Sequence, residues 1–293
     1  MSLQAAIEEQ AESFKGTLGV SVKHLYTGET ASINGDKVFP TASVFKIPVI
    51  VEFFRQVDAG TLSLDQQLLL SERDKVPGSG VLKELTEGLP VTYKDLLSLM
   101  MIVSDNTATD LITEIVGFEN INATMKELGL KETQVTRYCR QILFDLVGIN
   151  DLPLEEMTID VFQKAAETGE YKGSWSLETG DNDVTTPNEM NRLLELIVDG
   201  KAASRENCNK ILEIMEKCQT GGYRIPKYLP QKEVRLQRKT GSLPGIRNDV
   251  GIVTIKETSE KYTITCFTMD AEDVYAAEEV LAKVSKAVYD YFS

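Results

Sequence analysis

Ser43, Val44, Phe45 and Lys46 put a hydroxyl and an amine three residues apart, at what reads as the start of a helix. Residues i and i+3 share a helix face, so the Lys46 amine can reach the Ser43 oxygen. A serine hydroxyl is a poor nucleophile until a base takes its proton. An amine can be that base when burial or a second cation lowers its pKa. The unpaired N–H groups and positive dipole end of the helix favour a developing oxyanion. Alone, the tetrapeptide is weak. About one Ser-x-x-Lys is expected by chance in a chain of this length, and a capping serine followed by a solvated lysine has the same sequence.

Two further runs carry matching chemistry. Ser104-Asp105-Asn106 lies between two helical stretches and adds a second hydroxyl and an amide, although Asp and Asn are also ordinary N-caps. Lys239-Thr240-Gly241 lies near the end of a strand, where an edge lysine followed by a glycine turn is unremarkable by itself. Each tripeptide has a chance frequency of only about a few per cent here, and both follow Ser43 in order along the chain. Together they place a hydroxyl with an adjacent amine, a second hydroxyl and a second lysine in one chain.

Other chemistries are excluded. With one histidine, His24, a multi-histidine metal site is impossible and a Ser-His-Asp triad has a single candidate. Cys139, Cys208, Cys218 and Cys266 form no CxxC, so a zinc ribbon or thioredoxin-type site is not expected. Cys208 and Cys218 read as one helix, about 15 Å apart, too far for a bridge, so free thiols are expected. The net charge of −14 argues against a nucleic-acid partner or an anionic membrane surface. No apolar run is long enough to span a bilayer. The N-terminal segment has no signal-peptide apolar core, which leaves a cytoplasmic protein or a trimmed exported form open.

The elements that must position these groups are legible in outline. Ile7 to Phe14 reads as a short helix, followed by two strands turning at Thr27-Gly28. Ala42 to Ala59 has helical apolar spacing, with Pro48 in or near the first turn. Helices follow at Tyr93–Val103, Thr107–Val116 and Ile121–Leu128. Residues 137–184, rich in glycine, read as a long, partly helical excursion. Two helices, Pro187–Val198 and Arg205–Lys217, precede strands at 233–240, 248–256 and 261–268 and a final helix from Ala271 to Tyr291. Both ends could thus build one antiparallel sheet around an inserted helical part.

Ser-x-x-Lys, Ser-Asp-Asn and Lys-Thr-Gly in this order are the motifs of class A β-lactamases and penicillin-binding proteins. The resemblance extends to TASVFKIPV, VPGSGVL, LLSLMMIVSDNTATDLI and TTPNEM, and covers nearly the whole chain except roughly residues 140–180. It implies an α/β sandwich with a five-stranded antiparallel sheet plus an inserted all-helical domain. Residues 1–40 and 188–293 would form the sandwich. Residues 41–187, including the long loop 137–184, would form the helical part, with the active site in the cleft between them. It implies a serine hydrolase that forms an acyl-enzyme and opens β-lactam rings. A D-alanyl-D-alanine peptidase, a carboxylesterase or a non-turnover penicillin-binding sensor on the same scaffold are the alternatives. The implied partner is a small β-lactam or related acyl substrate acting on a monomer, with no cofactor and no metal.

Carried over by motif, Ser43 attacks the carbonyl, Lys46 moves its proton, and Ser104 relays a proton to the leaving nitrogen. Asn106 meets the substrate's side-chain amide. Lys239, Thr240 and Gly241 attract its carboxylate, and the Ser43 and Ser242 backbone N–H groups form the oxyanion hole. The chain departs from the family in two places. The family's loop carries an Arg-aromatic-Glu whose glutamate activates water, and here Arg137-Tyr138-Cys139 puts a cysteine there. Counting back from Pro187 instead reaches Glu170, and Glu155, Glu156 and Glu167 are further candidates. The carboxylate-binding arginine is also displaced by one position, which leaves Arg247.

Overall fold

The computed structural model describes residues 1–149, 151–167 and 182–293. Helix α1 (Leu3–Ala11), capped by Ser2, leads into the hairpin of β1 (Thr17–His24) and β2 (Thr30–Ile33). Strand β3 (Phe39–Pro40) enters a 3-10 turn at Ala42–Phe45, and α2 (Lys46–Asp58) follows. The helix expected from Ala42 therefore begins with a tighter turn and becomes α-helical only at Lys46. Pro48 falls in its first turn, where the missing N–H has no intrahelical partner to lose.

Strands β4 (Gln67–Leu69) and β5 (Pro90–Thr92) form a small antiparallel ribbon. A Thr92–Asp95 capping box starts α3 (Tyr93–Ile102), Asp105 caps α4 (Asn106–Val116), and α5 (Phe118–Glu127) follows Gly117. The excursion contains α6 (Cys139–Leu146), α7 (Ile159–Ala166) and β6 (Val184–Thr185), which pairs with β3. Thr186 and Pro187 open α8 (Pro187–Asp199), which stops at left-handed Gly200. Helix α9 (Arg205–Met215) ends before Cys218, so Cys208 and Cys218 do not share a helix as the spacing suggests. The chain turns there toward Gly221 and Gly222, and the Cys218 thiol meets Thr220. All four cysteines are free.

The last third contains β7 (Val234–Leu243), β8 (Ile246–Ile255), β9 (Lys261–Met269) and α10 (Val274–Phe292). The β7–β8 hairpin runs further into its turn than the sequence suggests. Pro244 fixes one φ and Gly245 takes φ +69, so two residues suffice to reverse the chain.

The sheet order is β2-β1-β9-β8-β7, with every pair antiparallel. Both ends of the chain complete it, so the fold is the expected sandwich with helices inserted. Alternation along β1 sends Val20 and Val22 to one face, where Ile7, Ile264 and Val284 complete a core with α1 and α10. The opposite face shares a larger core with the helices through Phe39, Phe53, Ile112, Leu193 and Phe267. Each such side chain contributes about 1.5–3 kcal/mol relative to exposure. This second core fixes β7, α2 and the α3–α4 corner relative to one another, and the candidate site lies where they meet. Among the described residues no helix is long and apolar enough to cross a membrane.

Candidate active site

Ser43 lies on the turn between β3 and α2. Ala42, just before it, has φ +44, a left-handed conformation disfavoured for a residue with a side chain. Neighbouring strands hold it there. Buried Asn248 on β8 donates Nδ2 to the carbonyls of Pro40 (2.9 Å) and Thr41 (3.0 Å). Its Oδ1 accepts from the Thr268 N–H at 3.1 Å. Thr41 donates both its N–H (2.9 Å) and its hydroxyl (3.0 Å) to the carbonyl of Asp183.

Lys46, the first residue of α2, points inward. Its Nζ donates to the Ser104 carbonyl (2.8 Å), to Ser104 Oγ (3.0 Å) and to Asn106 Oδ1 (3.1 Å). Lys239 on β7 donates to the same Ser104 Oγ (2.9 Å) and to the Thr240 carbonyl (2.7 Å). Both lysines are fully buried. Burial pulls Lys46 below the usual lysine range, against the opposing influence of Cys139, Asp110 and Asp105. Burial, reinforced by the Lys46 charge, brings Lys239 down to about 7. With a lysine on each lone pair, the Ser104 hydroxyl keeps its own proton as a donor.

Ser104 also stands at a left-handed φ, +58. Asp105 locks it in place. Its Oδ1 caps Ala108 at 3.0 Å, and its Oδ2 accepts from Val81 (2.6 Å) and Leu82 (2.8 Å) in the loop opposite. Asn106 donates Nδ2 to the Pro77 carbonyl of the same loop at 3.0 Å.

Lys46, Ser104, Asn106 and Lys239 thus form one hydrogen-bonded cluster, and Ser43, Asn106 and Ser242 line a common cavity of about 100 Å³. Three expectations differ in detail. Ser43 Oγ has no hydrogen-bond partner among the described residues, because the Lys46 N–H groups are engaged by Ser104 and Asn106. Thr240 Oγ1 pairs with Thr220 Oγ1 at 2.5 Å. Arg247 folds onto its own hairpin, with Nη1 on the carbonyls of Leu243 (2.9 Å) and Ile246 (2.7 Å).

Cys139 opens α6 and lines the Ser43 cavity. Asp110 on α4 accepts the N–H groups of Cys139 (2.6 Å) and Arg140 (3.0 Å), one on each oxygen. Burial raises Asp110 to about 6 despite those bonds. Burial also raises the Cys139 thiol far above its ordinary range, despite the charge of Lys46. Glu155 lines a different cavity, of about 290 Å³, on the far side of Asp110. Glu156 ends a 3-10 turn and Glu167 is the C-cap that follows α7, and neither lines the Ser43 cavity. Glu170 lies outside the described residues.

Sequence reasoning missed Arg224, Asp110 and the anchoring role of Asn248. Arg224 stands alone in a loop with no motif around it. Asp110 falls on the helical period of α4 like any other residue. Their partners are distant in the chain. Among the described residues no group of three His, Cys, Asp or Glu could hold a metal ion. His24 is engaged at the end of β1 by Thr27 and Glu260.

Two buried amines meeting at the Ser104 hydroxyl, with Ser43 lining the adjoining cavity, fit a serine hydrolase that uses lysine in place of histidine. The sequence matches the beta-lactamase enzyme family over residues 2–292, and the chain belongs to that family. It is 27% identical to a β-lactamase of Bacteroides uniformis, over 98% of this chain and 90% of that protein. It is 23% identical to the β-lactamase VEB-1 of Pseudomonas aeruginosa, over 99% and 90%. The crystal structure of a β-lactamase from Sphaerobacter thermophilus superposes with a TM-score of 0.80 at 30% identity, covering 99% of this chain and 96% of that one. The protein is an enzyme of the serine β-lactamase type.

Gly241 reports on how tightly the nucleophile's turn is held. A Cβ there would stand 2.6 Å from the Thr41 carbonyl oxygen, 3.0 Å from Ala42 Cβ and 3.1 Å from the Ser43 nitrogen. Gly241→Ala must displace the turn. It is expected to slow covalent labelling of Ser43 by about 10²-fold and to cost about 1–3 kcal/mol of stability. Stopped-flow labelling and denaturant titration check both, and an unchanged labelling rate would contradict the packing described.

Proposed function

We propose that the enzyme opens β-lactam rings by acylation of Ser43, with Lys46 and Ser104 moving the protons. The observation that carries this reading is Ser104 Oγ held between Lys46 Nζ and Lys239 Nζ at 3.0 and 2.9 Å. Lys46, whose charge burial disfavours, exchanges one of its present bonds for Ser43. It takes the serine proton as Oγ bonds to the carbonyl carbon. Ser104 gives its proton to the ring nitrogen as the C–N bond breaks, and recovers one from its lysine neighbours. The Ser43 and Ser242 N–H groups receive the oxyanion. Asn106 meets the side-chain amide, and Lys239, Thr240, Gly241 and Arg247 meet the carboxylate.

Residues 41–187 supply Ser43, Lys46, Ser104 and Asn106, while 188–293 supply Lys239 and Ser242. This supports a cleft between that helical part and a sandwich of 1–40 with 188–293.

Release of the acyl group is the slower half of this reaction. No carboxylate of the described residues lines the Ser43 cavity. The titratable group that stands there is the Cys139 thiol, which burial keeps protonated at neutral pH. A protonated thiol cannot accept a proton from the attacking water.

A chromogenic cephalosporin, followed by colour and by intact mass, tests the whole reading. A Ser43 adduct that forms quickly and decays slowly is expected. Ser43→Ala should give neither adduct nor colour, and full labelling of that variant would misplace the nucleophile. Cys139→Glu should shorten the adduct lifetime by about 10²-fold or more, and an unchanged lifetime would remove Cys139 from the water's side. Lys239 is a cation below about pH 7 and neutral above it. The ratio of acylation efficiencies, carboxylate-bearing β-lactam over its neutral ester, should therefore fall as pH rises through about 7. The limiting slope is about tenfold per pH unit, and Lys239→Arg should flatten it.

A further inference from the structure

Arg224, 4% exposed, has every N–H engaged within the protein. Nη1 donates to the carbonyls of Gly241 (2.9 Å) and Asn248 (2.8 Å). Nη2 donates to Ser242 Oγ (2.6 Å) and to Glu278 Oε1 (3.1 Å), and Nε reaches the same Oε1 at 3.2 Å. Glu278 projects from α10, and its Oε1 is also 3.6 Å from Arg247 Nε. Arg247 is mostly buried, and its Nη2 has no hydrogen-bond partner among the described residues. Ser242 lines the Ser43 cavity, so this charge cluster adjoins the strand end that faces the substrate.

A guanidinium attracts a carboxylate through its N–H groups and its charge, and a nearby carboxylate offsets that charge. We propose that Glu278 is a specificity-determining residue, an internal carboxylate that occupies Arg224 and Arg247 beside Ser242 and so weakens binding of substrates that carry their own carboxylate. The inference rests on the function proposed above and deepens it. Glu278 acts through the two arginines, as a positioning residue, and does not touch the reacting atoms. With its charge present, Glu278 opposes the two guanidiniums. With that charge removed, a substrate carboxylate at the open Arg247 Nη2 meets the field of both cations without this opposing anion, while Arg224 keeps its bonds to Gly241, Asn248 and Ser242.

The test compares a chromogenic cephalosporin with its neutral methyl ester in pre-steady-state acylation of the full-length chain. Glu278→Gln keeps an acceptor for Arg224 and removes the charge. It should lower the half-saturating concentration of the acid by about five- to tenfold. The limiting acylation rate should stay within about twofold, and the ester should not respond. Glu278→Asp, which keeps the charge, should leave the acid close to the unaltered enzyme. Equal shifts for acid and ester, or a raised half-saturating concentration for the acid in Glu278→Gln, would overturn the inference and make Glu278 a mere support for Arg224. The unaltered enzyme is labelled first. No Ser43 adduct with either compound would overturn the function reading and this inference with it, whereas an adduct without the selective shift overturns this inference alone.

Discussion

Two amines are buried against one hydroxyl. Lys46 comes from the first turn of α2 and Lys239 from the outer strand β7, and both donate to Ser104 Oγ. Removing two ammonium groups from water is costly, and neither has a carboxylate within its hydrogen-bond set. The cost appears as lowered pKa values, which burial drives in both. An amine whose charge burial disfavours is what a serine nucleophile without a histidine needs. The energetic liability and the chemical capacity are therefore the same arrangement, and the rest of the fold keeps it closed.

That closure depends on backbone held where it would not rest. Ala42 and Ser104 both take positive φ, and each adjoins a group of the site. Their conformations persist because buried polar contacts over-determine them. Asn248 ties the strand before Ser43 to β8, and Asp105 ties Ser104 to the loop at Val81 and Leu82. Gly241 permits the close approach of β7 to the nucleophile's turn, since no other residue would fit there without displacing it. The Asn248 and Gly241 contacts join segments about two hundred residues apart, so the nucleophile's turn is held only once the sheet has closed around the helices.

The neck of the long excursion is sealed by a second set of buried carboxylates. Asp183 Oδ1 accepts the N–H groups of Thr136 (2.7 Å) and Arg137 (3.0 Å), while its carbonyl holds Thr41. Burial raises Asp183 to about 7, against those two bonds. Asp110 performs the matching service for Cys139 and Arg140. The excursion is thereby anchored at its root beside Ser43. Among the described residues it presents the Cys139 thiol, with Ile142 and Leu143, to the cavity there.

The motifs around Ser43, Ser104 and Lys239 were legible in the sequence because their chemistry is local: a hydroxyl and an amine one helical turn apart, a cap between two helices, a cation on an alternating strand. The sandwich was legible because period-2 and period-3.6 patterns occur at both ends of the chain. Other features are properties of the folded chain alone. Lys46 engages Ser104 and Asn106 and not Ser43, Thr240 turns to Thr220, and Arg224 with Glu278 occupies the corner beside Ser242. A side chain's partner is set by which distant segments the core packs together, and its pKa by how completely they exclude water. Residue type and spacing determine which chemistry is available, whereas desolvation and long-range hydrogen bonding, which arise only in the tertiary structure, decide which atom performs it.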